Sequence, residues 1–320
     1  MHRLRRLAAR VVSLAPRRLQ QQLSRARLFM PYYHMVSDER VAHFVRCVPH
    51  YPSTRRFEDE LDFILRHYRP VSLDTVLQLA SAPAATARDS FHISFDDGYR
   101  EMHDVVAPIL LRKGVPATFF VNTSLIDNAR LHFNNKVSLF LERGGSADAA
   151  ARFSWRDEAA LNEAMAELGI DASAYARRVR PYLTTEQASA MIRQGFSFGS
   201  HGLDHIALGE LGLSEQLRQA TACADMVEAT FLTRCSTFAF PGGDDGVSLE
   251  ALRLLHGRFG ATFGGANGFA PELPRHFQRL SLEYSNERIE MLLADRLLVE
   301  VGRRVSGRDR LQRPLEADAP

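Results

Sequence analysis

Short apolar runs and amphipathic stretches alternate along most of the chain, the pattern of strands and helices taking turns. Phe29 to Val36 reads as a first strand ending near His34, and Thr54 to His67 as a helix with Phe57, Leu61, Ile64 and Leu65 on one face. Pro70 to Leu73 and a short helix to Leu79 follow, then a connector over 81–89 rich in Ala with Ser, Thr and Pro. Phe91 to Phe95 is a buried strand that runs into Asp96-Asp97-Gly98; Tyr99 to Arg112 is a helix stopped at Gly114, and Pro116 to Val121 the next strand, ending at Asn122. Residues 123–182 break the rhythm with helical stretches near 135–142, 157–168 and 172–180, either a lid or wall over the catalytic face or a plain helical decoration. Alternation then returns: helices over 185–193, 214–231 and 248–257, strands over 196–200, 237–240 and 261–263, a last strand at 278–282 and a helix over 286–298.

His34, Asp96 with Asp97, Asn122, His201 and Pro241 all fall at or just beyond the C-terminal ends of these strands. In a parallel barrel those ends converge on one rim, where active sites are assembled. Residues about 100 positions apart can then meet.

At 320 residues with 45% hydrophobic content, the chain is long enough to bury one enzyme-sized α/β core. Three cysteines, 47, 223 and 235, form no close pair, which argues against a disulfide scaffold. The net charge of +2 hides an asymmetry: residues 1–28 hold eight arginines and no acid. Leu4, Leu7, Val11 and Leu14 recur there at helical spacing, so the expected readings are a basic amphipathic helix lying on a membrane surface or on the body of the protein, or a frayed leader. No aromatic residue interleaves these arginines, so nucleic acid is not an expected partner. The apolar part of this segment is interrupted by Arg10 and followed by Pro16-Arg17-Arg18, a poor match to a secretory signal. The expected location is cytoplasmic, either free or peripheral to the inner membrane. The expected organisation is this segment over 1–28, a barrel over 29–300 that includes the insertion 123–182, and a mobile arginine-rich tail over 301–320.

Two polar constellations carry the chemistry: Ser94-Phe95-Asp96-Asp97-Gly98 and His201-Gly202-Leu203-Asp204-His205. His201 and His205, four apart, can direct two ring nitrogens inward, and Asp97 would add a carboxylate oxygen. Such a set leaves positions open for water and substrate and suits Zn²⁺, Co²⁺, Ni²⁺ or Fe²⁺ better than Ca²⁺ or Mg²⁺. Neighbouring side chains diverge, so Asp96 is left as a candidate general base for water whose pKa the ion lowers.

These residues resemble the polysaccharide deacetylase family, the chitooligosaccharide deacetylase homology domain of carbohydrate esterase family 4-like enzymes. Ser94 to Gly98 is similar to its first motif, Ser200 to His205 to its second, Phe240-Pro241-Gly242-Gly243 to its third, and Tyr32 to Val36 to its Tyr-His-x-Val opening. The resemblance implies a distorted or incomplete (β/α) barrel with a helical insertion, Asp96 as base, and Asp97, His201 and His205 as metal ligands. It also places a backbone N–H near Gly242 at the developing oxyanion. Three departures stand out: Phe238 or Ala239 sits where an arginine often orients the base, Gly202 replaces a hydroxyl residue, and the histidine of a final Leu-His pattern has no clear counterpart. His276 and His34 are the two candidates for the missing acid. Asp244, Asn122 and Tyr99 are candidate substrate contacts; a solvated turn would equally explain Asp244 and a cap Asn122, while Tyr99, opening the helix after Gly98, is expected near the metal.

The expected reaction is removal of an N-acetyl group from an amino sugar in a precursor of a surface glycan, lipopolysaccharide or exopolysaccharide. The substrate could be lipid-linked or nucleotide-linked. The alternatives are deformylation, O-deacetylation or cleavage of another C–N amide on the same scaffold, and a weakly active barrel that binds a glycan.

Overall fold

The computed structural model describes residues 2–24, 26–48, 50–82, 85–266, 273–283 and 285–315, with side chains from Arg5 onward. Buried strands form its centre: β1 (Pro31–Tyr33), β2 (Ile93–Phe95), β3 (Ala117–Val121), β4 (Ser197–Ser200), β5 (Thr237–Ala239), β6 (Ala261–Gly264), β7 (His276–Gln278) and β8 (Leu280–Ser281). Nearly all their residues are buried, as strands covered on both faces must be. All pair in parallel, in the order β7-β6-β5-β4-β3-β2-β1-β8.

Only Arg279 separates β7 from β8. Its N–H donates to the Gly264 carbonyl on β6 at 3.1 Å, and the next N–H, of Leu280, donates to the Met30 carbonyl before β1 at 2.9 Å. One extended stretch therefore borders both edges of the sheet, which curls into a nearly closed eight-strand barrel with helices around it. The aromatic content fills the space between sheet and helices: Phe95 stacks on Phe119 at 5.2 Å between ring centroids, and Tyr33 meets Phe57 edge-on, also at 5.2 Å. Phe57 comes from the helix Thr54–His67, whose start is fixed by Ser53 accepting the Arg56 N–H and whose last turn carries Arg66 and His67 against its negative end.

Two predicted elements divide. The run 91–95 splits at His92, whose imidazole spans the Val71 carbonyl at 2.8 Å and the Thr118 hydroxyl at 2.9 Å; Ala87–Phe91 joins a small separate parallel sheet with Leu28–Phe29 and Arg69–Pro70. The helix expected over 99–112 opens as a π-turn over Met102–Val106 before α-helix Ala107–Lys113. Pro108 lacks the N–H that a regular turn would need there, and a widened turn absorbs the gap.

The insertion forms helices Phe133–Glu142, Glu158–Glu167 and Ala172–Val179. Together with the loop after β1 they build a second apolar core around Phe44, Tyr99, Leu139, Leu161, Met165 and Tyr182. The insertion thus stands as a wall beside the barrel rim, held by its own buried surface.

The described segments near both ends pack on the body. Helix His2–Ser13 lies along helix Ile289–Val305, with Arg5 paired to Asp295, Arg6 to Glu287 at 2.7 Å, and Ala9 buried. The opposite side leaves Leu7, Val11 and Leu14 exposed by 60%, 66% and 86%. Among the described residues no helix is long and apolar enough to cross a membrane. The expected mobile tail is corrected in part: the last helix runs to Val305, and the Arg313 side chain is buried, donating to the Asp244 and Val247 carbonyls while Pro314 accepts the Leu249 N–H. Buried carbonyls and a carboxylate reward a guanidinium, which is why an arginine-rich tail docks here. Met1, Arg25 and residues 316–320 lie outside the described residues.

Phe119 has no exposed surface and touches Phe95, Phe196 and Phe198. Phe119→Ala is expected to lower the unfolding free energy by about 3–5 kcal/mol, read from chemical denaturation, because the barrel cannot collapse onto so large a void.

Candidate active site

The ends of β1, β2 and β4 deliver His34, Asp96 with Asp97, and His201 to one rim. Asp97 and Gly98 follow β2 with φ of 75° and 73°, a left-handed pair that turns the chain sharply out of the strand. A Cβ on Gly98 would also press to 3.2 Å from Val121 Cγ1, so glycine is needed twice over. Asp97 has no such licence. Its strained backbone is held from both sides, by the Asp96 N–H donating to the Tyr33 carbonyl at 3.0 Å and by the Gly98 carbonyl accepting the Leu183 N–H at 2.8 Å, and its side chain points away from that of Asp96.

The histidine loop is pinned from several sides. Asn122 Nδ2 donates to the His201 and Gly202 carbonyls at 2.5 and 2.9 Å, and Gln219 Oε1 accepts the Leu203 and Asp204 N–H groups at 3.0 and 3.1 Å. His201 Nδ1 lies 2.8 Å from the Ala239 carbonyl, which only accepts, so the hydrogen sits on Nδ1 and the lone pair on Nε2. That Nε2 lies 3.3 Å from Asp97 Oδ1, and His205 Nε2 lies 3.0 Å from the same oxygen. Neither His201 Nε2 nor Asp97 Oδ1 completes a hydrogen bond, although both are buried. Atoms that crowd one another without bonding share a common focus, and two nitrogens with one carboxylate oxygen form a donor set for a divalent transition ion. The residues present therefore fit a metal. Burial would raise the Asp97 carboxyl, but the adjacent His205 and His201 hold it well below the ordinary range, ready as an anion.

A fourth group joins them. Asp97, His132 and His205 each offer an atom within 4.8 Å of the others, a tighter cluster than any that includes His201 among the described residues. His132 stacks on His205 at 4.3 Å between ring centroids. Burial and His205 push it down to about 3, so it is neutral.

Asp96 is bound by Arg279 through two parallel hydrogen bonds of 2.7 Å, and Arg279 also donates to Ser94 Oγ at 3.0 Å. The guanidinium lies over the Tyr32 ring at 4.3 Å. Burial raises the Asp96 carboxyl, yet Arg279 with His201 more than reverses this and leaves it below its ordinary value. The arginine that the third motif lacks is thus supplied from the seam between β7 and β8. No local pattern around residue 279 signals it, because the partner lies 183 positions away.

His34 is likewise completed from a distance. Its Nδ1 lies 2.7 Å from Glu283 Oε2, while Glu283 Oε1 accepts the Met35 N–H at 2.8 Å. Burial would lower this imidazole, but Glu283 and the two aspartates raise it to about 9, so it is cationic at neutral pH. Glu283 was not among the candidate residues, since a lone acid near a chain bend carries no signal of its own.

A cavity of about 360 Å³ opens over these groups, the size of a small-molecule site. His34, Asp97, Tyr99, His132, His205 and Gly242 line it, with Phe44, Val48 and Leu141 as an apolar wall. Cys47 also faces it, but burial and Asp97 push the thiol up to about 12, which excludes a thiolate nucleophile.

Several candidates stand elsewhere. His276 is corrected: it is buried, with Nδ1 against Thr262 Oγ1 at 2.9 Å and Nε2 against Asp244 Oδ2 at 3.0 Å, so neither nitrogen reaches the cavity. Asp244 is corrected with it. This carboxylate also takes Gln278 at 2.8 Å, the Gly265 N–H at 3.0 Å and Arg313, and is too enclosed to meet a sugar. Asn122 is fully buried and braces the histidine loop instead of touching substrate. Tyr99 lines the cavity with its ring, and its hydroxyl is committed to Asn135.

A parallel barrel that gathers an aspartate pair and histidines at its C-terminal rim, under a cavity, has the layout of a barrel-enzyme active site. Residues 84–257, more than half of the chain, match the family model described as polysaccharide deacetylase, and the chain belongs to that family. It is similar in fold to a deacetylase, PplD, from Streptococcus pyogenes, solved in complex with acetate: 17% identity, TM-score 0.55, covering 83% of this chain and 97% of that one. The same holds for IcaB from Ammonifex degensii, at 15% identity and TM-score 0.56 over 84% and 97% of the two chains. A de-N-acetylase from Aggregatibacter actinomycetemcomitans gives 14%, 0.55, and 81% and 96%. No curated protein matches by sequence.

Removing the guanidinium would strand a buried carboxylate. Arg279→Met is expected to cost about 3–5 kcal/mol of stability at pH 7. Asp96 is depressed in the folded protein, so its pair contributes above the unfolded carboxylate value and is lost as pH falls; the gap between variant and wild type, read from denaturation at several pH values, should narrow in acid.

Proposed function

We propose that this protein is a metal-dependent N-deacetylase acting on an acetamido sugar of a glycan or glycan precursor, with Asp97, His201 and His205 holding the ion. The observation that carries this reading is the unsatisfied convergence of Asp97 Oδ1 and His201 Nε2 beside a second, arginine-bound aspartate. A divalent ion bound there, most simply Zn²⁺ with Co²⁺, Ni²⁺ or Fe²⁺ as alternatives, supplies Lewis-acid polarisation of the acyl oxygen and acidifies water.

The chain's own groups divide the proton work. Asp96 is an anion whose Oδ2 lies 3.9 Å from His201 Nε2, so it accepts the proton of the attacking water beside the ligands. Arg279 keeps both carboxylate oxygens oriented and leaves their remaining lone pairs for that proton. As the C–N bond breaks, the nitrogen needs a proton, and His34, cationic through Glu283 and facing the cavity, donates it. The products are acetate and a free amine. Gly242, which lines the cavity, would offer its backbone N–H to the developing oxyanion.

Asp96→Asn tests the base. With zinc-loaded protein and N-acetylated glucosamine oligomers, turnover should fall by about 10²–10⁴ while zinc binding, read by titration calorimetry, stays near wild type. Unchanged acetate release would reject this role. Formate release from a formylated analogue, or ester loss with the amide intact, would instead move the acyl assignment.

A second part of the reading concerns the partner of the first helix. Leu7, Val11 and Leu14 form an outward stripe opposite the buried Ala9, beside the exposed Arg10 and in a stretch without acid, which complements an anionic bilayer surface. On this reading the enzyme works at the inner face of a membrane, where a lipid-linked precursor would lie. Vesicles containing phosphatidylglycerol should sediment the protein and neutral phosphatidylcholine vesicles should not; a Leu7→Gln, Val11→Gln double variant should lose at least about tenfold in partitioning. Binding indifferent to lipid charge, or to the double variant, would overturn it.

A further inference from the structure

The rings of His201 and His132 both approach Asp97, and their second nitrogens assign the hydrogens in opposite ways. His201 gives its Nδ1 hydrogen to the Ala239 carbonyl, leaving Nε2 as a lone pair. His132 caps the helix Phe133–Glu142, and its Nδ1 accepts the Asn135 N–H at 3.2 Å. A neutral imidazole that accepts at Nδ1 carries its hydrogen at Nε2. That Nε2 is buried and has no hydrogen-bond partner among the described residues.

The cap itself is held in place. Asn135 ties its side chain to the His43 carbonyl at 2.7 Å and to the Tyr99 hydroxyl at 2.8 Å, while the backbone N–H of His132 donates to the Tyr182 hydroxyl at 3.1 Å. Turning His132 into a metal ligand would require the hydrogen to move to Nδ1, where it would face the Asn135 N–H, donor against donor. The spatial cluster of Asp97, His132 and His205 therefore overstates what His132 can coordinate.

We propose that His132 is a hydrogen-bond donor from the helical insertion, its Nε2–H aimed at an acyl or carboxylate oxygen seated between it and Asp97, and that it is not a metal ligand. The ligand class is a short carboxylate or the carbonyl oxygen of a short acyl amide. The ring stack on His205 fixes the direction of the donor, and the site gains selectivity because an oxygen entering there satisfies an otherwise unpaired buried N–H. The inference rests on the metal site of the preceding subsection but not on the identity of the sugar.

Acetate binding to the zinc-loaded protein, measured by calorimetry, tests it without turnover. His132→Phe keeps a stacking ring and removes the donor; His132→Asn keeps a side-chain oxygen for the cap, but its shorter side chain does not reach. Both should weaken acetate by about tenfold or more, whereas His132→Gln, which restores an N–H at similar reach, should recover most of it. Zinc affinity and the visible spectrum of the cobalt-loaded protein should match wild type in all three. A shifted cobalt spectrum with weakened zinc binding in both the Phe and Asn variants would make His132 a ligand and overturn the proposal. Unchanged acetate affinity in the Asn variant would reduce it to a helix cap, and also overturn it. A wild-type protein that takes up no zinc would instead refute the metal site itself, a result visible before any variant is compared.

Discussion

The buried pair of Arg279 and Asp96 is the constraint around which the molecule is arranged. Two charges with almost no solvent contact persist only because each oxygen of the carboxylate meets a guanidinium nitrogen at 2.7 Å. The arginine comes from the single residue at which the last strand changes neighbours, so barrel closure and placement of the acid are one event. A barrel that failed to close would leave a buried carboxylate alone.

From that pair outward, the rim separates roles by backbone geometry and not by residue type. Asp96 and Asp97 are chemically identical neighbours, yet the left-handed turn at Asp97 and Gly98 sends one toward arginine and the other toward histidines. The histidines are sorted in the same manner. A carbonyl behind His201 and an amide behind His132 give the two imidazoles opposite lone-pair positions, while Glu283 makes His34 a cation. The insertion contributes His132 and an apolar wall, so the same helices that bury a second core also shape the cavity. Family membership agrees with this architecture, and the low identities to solved structures extend that agreement to the fold alone.

Much of this was legible in the chain. Apolar periodicity located most strands and helices to within a few residues, since burying both faces of a strand demands a continuous apolar run and helices need a 3.6-residue stripe. Two short motifs also marked Asp96, Asp97, His201 and His205, because fixed spacing next to a strand end restricts where side chains can go. Local order likewise explains the splits at His92 and Pro108, where one residue's hydrogen-bonding capacity interrupts a regular element.

Tertiary structure alone decided the rest. Arg279, Glu283 and His132 acquire their roles from partners between 73 and 249 positions away, and nothing in their own neighbourhoods distinguishes them from any other polar residue. His276 and Asp244 show the converse: both sit near a strand end, but they satisfy each other inside the protein and hold the docked tail. Sequence sets which elements form and which groups stand at their ends, because those depend on local torsions and burial. Which charge meets which, and therefore which group can give or take a proton, depends on desolvation and distances that exist only after the barrel has closed.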